Sequence, residues 1–440
     1  MRNGNFAVSD FNLRAYMIAR FLGIVVAGLA ACSARGLAGE VGAVDANSLV
    51  RLEDYLGYAA EHNAGLKSSF QEWQAAVEEI PQAQALPDPE LNYGYLARQS
   101  DMQMSQTVSV MQMFPWFGKI DARTEAAMKG AEAAHQKYQA ARLALFKEVK
   151  EAFHEFAYLG SAVEIGEQNL ELLRHFEEVA RTKYTAAEAG QPDVIRAQVE
   201  LAKMEYVLRS LEAMRKPAVS KLARALSLPQ DVELAWPEVG EFEAGEIEYE
   251  RLADALRRNN PELAGLEFEA MAAKSRIELA RKNFYPDMGV GVEWAQFDKS
   301  SAAMGANSGR DAVTLMFRIN LPLRRESYSA GERQARAMAA SVGQEKIEME
   351  NSLLAKAAQS YYEYNDSVRR IRLYRDSLIP KAEELVGASE TAYKAGTLDF
   401  LSLIDSQRLL LDYYLSHRRA LTDNRQKLAE LEMLAGVELN

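Results

Sequence analysis

Cysteine is all but missing from this sequence. Cys32 stands alone, so no intramolecular disulfide and no cysteine-built metal centre can form. The five histidines, at 62, 135, 154, 175 and 417, show no helical pair at the spacing of a built zinc site. Beyond the N-terminal region no run approaches the roughly 18 apolar residues of a membrane-spanning helix. Basic blocks are absent and the net charge is −12, which argues against nucleic acid as a partner. No phosphate-cradling glycine loop and no nucleophile–base frame occurs, so neither an enzyme nor a cofactor is expected. Proline is missing between Pro115 and Pro192, which leaves room for one very long helix.

What is present begins with Arg14 and Arg20 ahead of the apolar run "FLGIVVAGLAA", Phe21 to Ala31. A basic flank and a short apolar core fit a secretory signal covering residues 1–31, with Met17 an alternative start. "LAAC", Leu29 to Cys32, resembles a bacterial lipoprotein signal, which makes Cys32 the expected lipidation site. Ordinary cleavage further on, for instance after Ala38, is the plainer alternative. An exported chain without a spanning helix can cross a bilayer only as a closed sheet.

The chain is written twice. "YLGYAAEHNAGLKSSF" from Tyr55 aligns with "LADALRRNNPELAGLEF" from Leu252, and "LPDPELNYGY" from Leu86 with "YPDMGVGVEW" from Tyr285. "SVMQMFP", ending at Pro115, matches "LMFRINLP", ending at Pro322. Tyr184, Gln198 and Leu222 recur at one constant offset as Tyr393, Gln407 and Leu431. The first repeat is placed at 32–240, with strands at about 90–97 and 105–114 and a helical hairpin at about 119–226. The second is placed at 241–440, with strands at about 287–297 and 311–321 and a hairpin at about 325–436. Apolar residues at helical spacing (Leu143, Phe146, Val149, Phe153, Phe156) give the first hairpin a helix of about 65 residues, on the order of 100 Å. Pro217 and Pro380 mark expected breaks, and the acidic segment from Pro229 to Glu248 links the halves.

The strands have two unlike faces. Leu91, Tyr93 and Tyr95 oppose Asn92 and Gly94, while Val313, Leu315, Phe317, Ile319 and Leu321 oppose Thr314, Met316, Arg318 and Asn320. Met288, Val290, Val292 and Trp294 likewise oppose Gly289, Gly291 and Glu293. With an export signal and no spanning helix, a lipid-facing barrel wall accounts for these faces, with polar external connections at Arg98–Met104 and Asp298–Asp311. Four strands leave two open edges, which lipid forbids. Two chains would make eight strands and a filled lumen, whereas three make twelve and an open bore, so a trimer is favoured. Met102, Met104, Met111 and Met113 cluster at the first hairpin, where packing is the expected role and no metal site is assigned.

The duplicated order, "ALPDPEL", "MQMFPWFGK" and the paired "Y-x-x-(A/G)" turns resemble the TolC-like outer membrane factor family over essentially the whole mature chain, and most closely its heavy-metal efflux branch. The resemblance implies a mainly α fold with a small β part. In it a homotrimer shares a twelve-strand barrel in outer-membrane lipid above a long α-helical periplasmic tunnel. It also implies a periplasmic adaptor and an inner-membrane resistance–nodulation–division pump as partners, and a closable gate at the helix tips. Carried over, the gate residues are Asp193, Tyr393, Asp399, Ser402 and Asp405. The adaptor-docking tips are Tyr184, Ala187 and Gly396. A latch between Tyr393 and Asp193 is implied; its basic partner position is Leu398 here, and Ala187 stands where the family has glycine. Asp193 also suits a first-turn helix acid, and Asp405 an ordinary solvated one.

Overall fold

The computed structural model describes residues 49–95, 104–237, 245–297 and 311–439. The signal, Cys32, Met102 and nearly all of both polar connections lie outside the described residues.

Helices α1 (Leu52–His62) and α2 (Ala64–Gln84) lead into strands β1 (Glu90–Tyr95) and β2 (Met104–Phe114). The 67-residue helix α3 (Lys119–Thr185) follows, then α4 (Gln191–Ala213) and α5 (Arg215–Leu226). The second half repeats the order: α6 (Tyr249–Asn259), α7 (Pro261–Lys282), β3 (Met288–Phe297), β4 (Ala312–Ile319), α8 (Arg325–Leu373), α9 (Ile379–Lys394) and α10 (Phe400–Ala435). At 1.5 Å per residue α3 is about 100 Å long. Among the described residues no helix is long and apolar enough to cross a membrane.

Prolines set the breaks. The return helix divides at Met214, so that Pro217 falls in the first turn of α5, where its missing N–H costs nothing. Between α8 and α9 the chain widens into a π turn, Tyr374–Leu378, closed by Ile379 N–H on the Tyr374 carbonyl. Pro380 lacks a donor and its ring crowds the carbonyl four residues back; the wider turn relieves both.

The internal twofold is visible in paired polar devices. Asn63 caps α2 by accepting from Leu66 N and donates Nδ2 to the Ala225 carbonyl at 2.8 Å. Its counterpart Asn260 caps α7 and donates Nδ2 to the Leu434 carbonyl at 3.0 Å. Ser227 (φ 56°) and Gly436 (φ 72°) end α5 and α10 in the same left-handed cap. Each device ties a short helix of one repeat to the end of its return helix. Each half thereby closes on itself.

The four strands form one antiparallel sheet in the order β1-β2-β3-β4. Leu91↔Val110, Val110↔Val292 and Val292↔Leu315 put the apolar residues of all strands on one face. That face is open: Leu91, Tyr93, Tyr95, Val313 and Phe317 are 64–77% exposed. The other face is covered at its centre, with Ser109, Met111 and Ala295 below 9%, while Asn92, Gly94, Thr314 and Arg318 on its edge strands are exposed. Gly289 and Gly291 make room there, since a Cβ on Gly289 would stand 2.7 Å from Met113 Sδ and 3.1 Å from Met111 Sδ. Arg318 on β4 reaches Glu90 on β1 across this inner face at 3.2 Å. Polar residues on the open face satisfy one another: Gln106 pairs with Gln296 and accepts from the Tyr93 hydroxyl. An apolar exterior over a polar interior is the inverse of a water-soluble sheet.

The sheet meets the helices through a clamp between the two halves. Lys119, the first residue of α3, donates to Asp287 Oδ1 at 2.7 Å and to the Tyr285 carbonyl at 3.1 Å. The same Asp287 oxygen accepts from Trp116 N, and Trp116 stacks on Tyr285 at 5.3 Å.

Candidate functional site: the helix tips

Both hairpins turn with the same backbone. Ala187 N–H meets the Tyr184 carbonyl and Glu188 N–H reaches back to Lys183; Gly396 N–H meets Tyr393 and Thr397 N–H reaches Ala392. Each turn needs one left-handed residue, Ala187 at φ 58° and Gly396 at φ 76°. Alanine there carries a Cβ penalty of roughly 1–2 kcal/mol that glycine avoids. Ala187→Gly should therefore stabilise the first tip by about 1 kcal/mol once the larger unfolded-state freedom of glycine is counted. Slower hydrogen exchange of the 184–190 amides is the measurement that checks it.

Behind the turns lies a packed core: Phe176 and Ala180 of α3, Ala197 and Met204 of α4, Ala382, Val386 and Tyr393 of α9, and Phe400, Leu403 and Ile404 of α10. Tyr393 is 3% exposed and packs against Phe400 at 5.3 Å. Burial first, and then the nearby Asp193 charge and the phenol's hydrogen-bonding approach to that carboxylate, push it up to about 12. The Tyr393 hydroxyl nevertheless has no well-formed hydrogen-bond partner. The implied Tyr393–Asp193 latch is thus a buried phenol facing a nearby carboxylate, in a contact that falls outside strict hydrogen-bond geometry. Asp193 itself lies in the first turn of α4, 4.0 Å from Arg196.

The remaining acids divide by role. Asp399 is the N-cap of α10, accepting from Ser402 N at 3.1 Å, and its hydrogen bonds from Ser402 hold its carboxyl below the usual range. Ser402 therefore serves the cap through both its side chain and its backbone, and its carbonyl accepts from Ser406 Oγ. Asp405 is exposed and meets Arg408 at 3.1 Å. Arg408 in turn bridges to Glu200 of α4 at 2.6 and 3.2 Å, tying the two return helices together. Burial raises the Glu200 carboxyl, but hydrogen bonds from Arg408 and Lys203 outweigh it and leave the group lowered.

Sequence reasoning missed the residue that joins the tips most directly. Lys183, 8% exposed in the last turn of α3, donates to the Tyr393 carbonyl at 2.7 Å and the Lys394 carbonyl at 2.9 Å. Its ammonium also lies 5.1 Å from the centre of the Tyr393 ring. A cation thus closes the carbonyl end of α9 from the neighbouring hairpin. His175 adds a contact to Glu390 at 3.0 Å, and deeper in the core Gln407 donates to Asn169 at 2.5 Å. Leu398 offers no basic group, and Lys183 reaches the second tip from the first hairpin. A lysine directly before the first tip tyrosine was the available signal, but nothing local pointed to its partners.

This architecture has known relatives. The family model of outer membrane efflux proteins matches residues 56–227 and 252–437. The cobalt-zinc-cadmium resistance protein CzcC of Cupriavidus metallidurans is 25% identical over 400 residues, covering 88% of this chain and 90% of that protein. The pyoverdine export outer membrane protein OpmQ of Pseudomonas putida is 23% identical over 308 residues, covering 67% of this chain and 62% of its own length. Among solved structures, that of CusC superposes with a TM-score of 0.75 at 13% identity, over 88% of this chain and 92% of the other. The family model takes in both halves and nearly every element described above, so the chain belongs to the outer membrane efflux protein family: it is a TolC-like outer-membrane factor of efflux and export systems, reaching into the periplasm.

Proposed function

We propose that this chain is the passive exit duct of a tripartite efflux assembly. Three copies share a twelve-strand barrel, and an inner-membrane resistance–nodulation–division pump and a periplasmic adaptor deliver the cargo. One observation carries the reading: the open, apolar face of a four-stranded sheet whose two edges are unpaired among the described residues. Such a sheet is stable in hydrocarbon only when its edges close on other copies. A soluble scaffold built on the same hairpins should leave the membrane in a high-salt wash, whereas a barrel should require detergent.

Heavy-metal cations are the proposed cargo, supported by the "LPDPEL" and "FPWFGK" resemblance and by the similarity to a cobalt-zinc-cadmium resistance protein. A duct for drugs, solvents or secreted proteins is the second reading, favoured by the similarity to a pyoverdine exporter. Deleting the gene and measuring tolerance to cobalt, zinc and cadmium decides between them; unchanged tolerance removes the metal reading. Cys32 is the proposed acylation site.

The gate lies at Asp193, Tyr393, Asp399, Ser402 and Asp405, and the adaptor docks at Tyr184, Ala187 and Gly396. Three inward copies of an exposed carboxylate concentrate negative potential on the axis. Asp405→Ala should therefore weaken block by trivalent cations in planar bilayers by about tenfold, since a change near 1.4 kcal/mol is one decade. Unaltered block would take Asp405 out of the aperture.

A further inference from the structure

The Lys119–Asp287 clamp is a relation between the first repeat and the second. Asp287 belongs to "YPD", which aligns with "LPD" at Leu86–Asp88, and the segment after β4 aligns with the one holding Trp116 and Lys119. The duplication therefore predicts a second clamp, between the end of β4 and the start of a β1. Within one chain these are the two outer edges of the sheet, which share no backbone ladder and are spanned only by the Arg318–Glu90 side-chain pair.

All four parts of that second clamp are present and idle. Asp88 matches Asp287, and Arg325, the first residue of α8, matches Lys119, the first of α3. Both are exposed, and neither side chain has a hydrogen bond or ion pair among the described residues; Arg325 bonds only through its backbone N–H, to the Leu323 carbonyl at 3.0 Å. Leu86 and Leu323 stand where Tyr285 and Trp116 stack, and they are 43% and 82% exposed. The joining loop is one residue shorter than in the first repeat, and Leu323 N–H is meanwhile turned onto the Leu321 carbonyl. Met338 and Ile347 add exposed apolar surface along α8, whose counterpart α3 is covered by α7.

We infer that Asp88 of one copy and Arg325 of the next form an inter-subunit clamp, the repeat of Lys119–Asp287, and that it sets the register in which β4 of one copy pairs with β1 of its neighbour. This rests on the proposed oligomeric barrel and adds a defined interface to it. Carrying the β2–β3 register through the repeat alignment places Phe317 opposite Tyr93, Leu315 opposite Tyr95 and Ile319 opposite Leu91. Each pair joins residues of the open apolar face, as lipid demands, and a one-residue slip would set polar side chains against hydrocarbon. The carboxylate also lands before the N-terminus of α8, where the helix dipole favours an anion.

Charge reversal in the full-length protein, extracted in detergent, tests the clamp. Asp88→Arg and Arg325→Asp should each speed trimer dissociation about tenfold, and the double reversal should return it to within about twofold of wild type. Neutral single variants, or a double variant no better than either single, would overturn the clamp. Oxidative cross-linking tests the register independently. Tyr93→Cys with Phe317→Cys should yield covalent trimers in membranes, whereas Asn92→Cys with Phe317→Cys should not; the reverse pattern sinks the register. A wild-type protein that runs as a monomer in detergent would instead bring down the proposed barrel itself.

Discussion

Replacing Lys183 with methionine should loosen the helix tips more than any change at the acidic positions around them. Methionine keeps the length and apolar bulk of the stem, so packing against the Tyr393 ring survives and the loss is confined to the ammonium. Two carbonyls, of Tyr393 and Lys394, then lose the same donor in a site that is 8% exposed. A hydrogen bond from a charged group contributes about 1.5–3 kcal/mol, and a buried acceptor left unpaired carries the full desolvation cost. The tip should open more easily by about 2–3 kcal/mol, or some thirty- to one-hundred-and-fifty-fold. In contrast, Asp193→Asn removes a charge beside the Tyr393 phenol but keeps a side-chain oxygen for the hydroxyl to approach, so its effect should stay within one decade. Single-channel recording and hydrogen exchange over Thr391–Leu398 measure both variants. If Lys183→Met leaves the closed-state current and the tip amides as in wild type, Lys183 is not what holds the tips.

The duplicated frame was legible because its signals are local or repeat at one offset. Proline spacing announced α3, two-residue alternation announced the strands, and the repeat alignment set Asn63 on Asn260 without assigning either a role. The direction of the sheet's apolar face also followed from the sequence, since an expected export signal, with no spanning helix expected after it, leaves few places for that face. What stayed hidden is pairing across the repeats. Lys183 meets residues of the opposite hairpin, Arg408 meets Glu200, and Gln407 meets Asn169, each more than two hundred positions away in sequence. Nor could local reading tell that Ala187 takes the left-handed conformation without glycine, because six backbone positions around it impose the turn. Asp399 and Ser402 looked like gate residues from the resemblance alone; their capping geometry shows a structural task that a gating role must coexist with.

Acid should weaken this protein through one buried histidine. His154 lies on α3 under α10, 9% exposed and edge-on to Phe153, and it faces Arg425 of α10 and Lys150 of its own helix. Lys150 is itself paired with Glu432 at 2.6 Å. Burial, followed by the Arg425 and Lys150 charges, lowers the imidazole from 6.5 to about 4. The folded state therefore holds His154 neutral, while the unfolded chain takes up a proton as pH falls through about 6.5. Its stabilising contribution is complete above that value and is lost progressively between about pH 6.5 and 4, to a total of about 3 kcal/mol per chain. His417, lowered mainly by its own burial, acts with the same sign. The lowered carboxyls of Glu390 and Glu430 stabilise fully above about 4.5 and begin to lose that contribution only below it, where unfolded glutamates protonate, so the histidines govern the slope above it. His154→Gln, which cannot charge, should flatten the slope of unfolding free energy between pH 6.5 and 4.5 and leave only the smaller His417 part. Urea midpoints taken across that range give the slope directly. A variant as acid-sensitive as wild type would mean that water or a neighbouring copy solvates the imidazolium, and that the core between α3 and α10 is looser than its packing indicates.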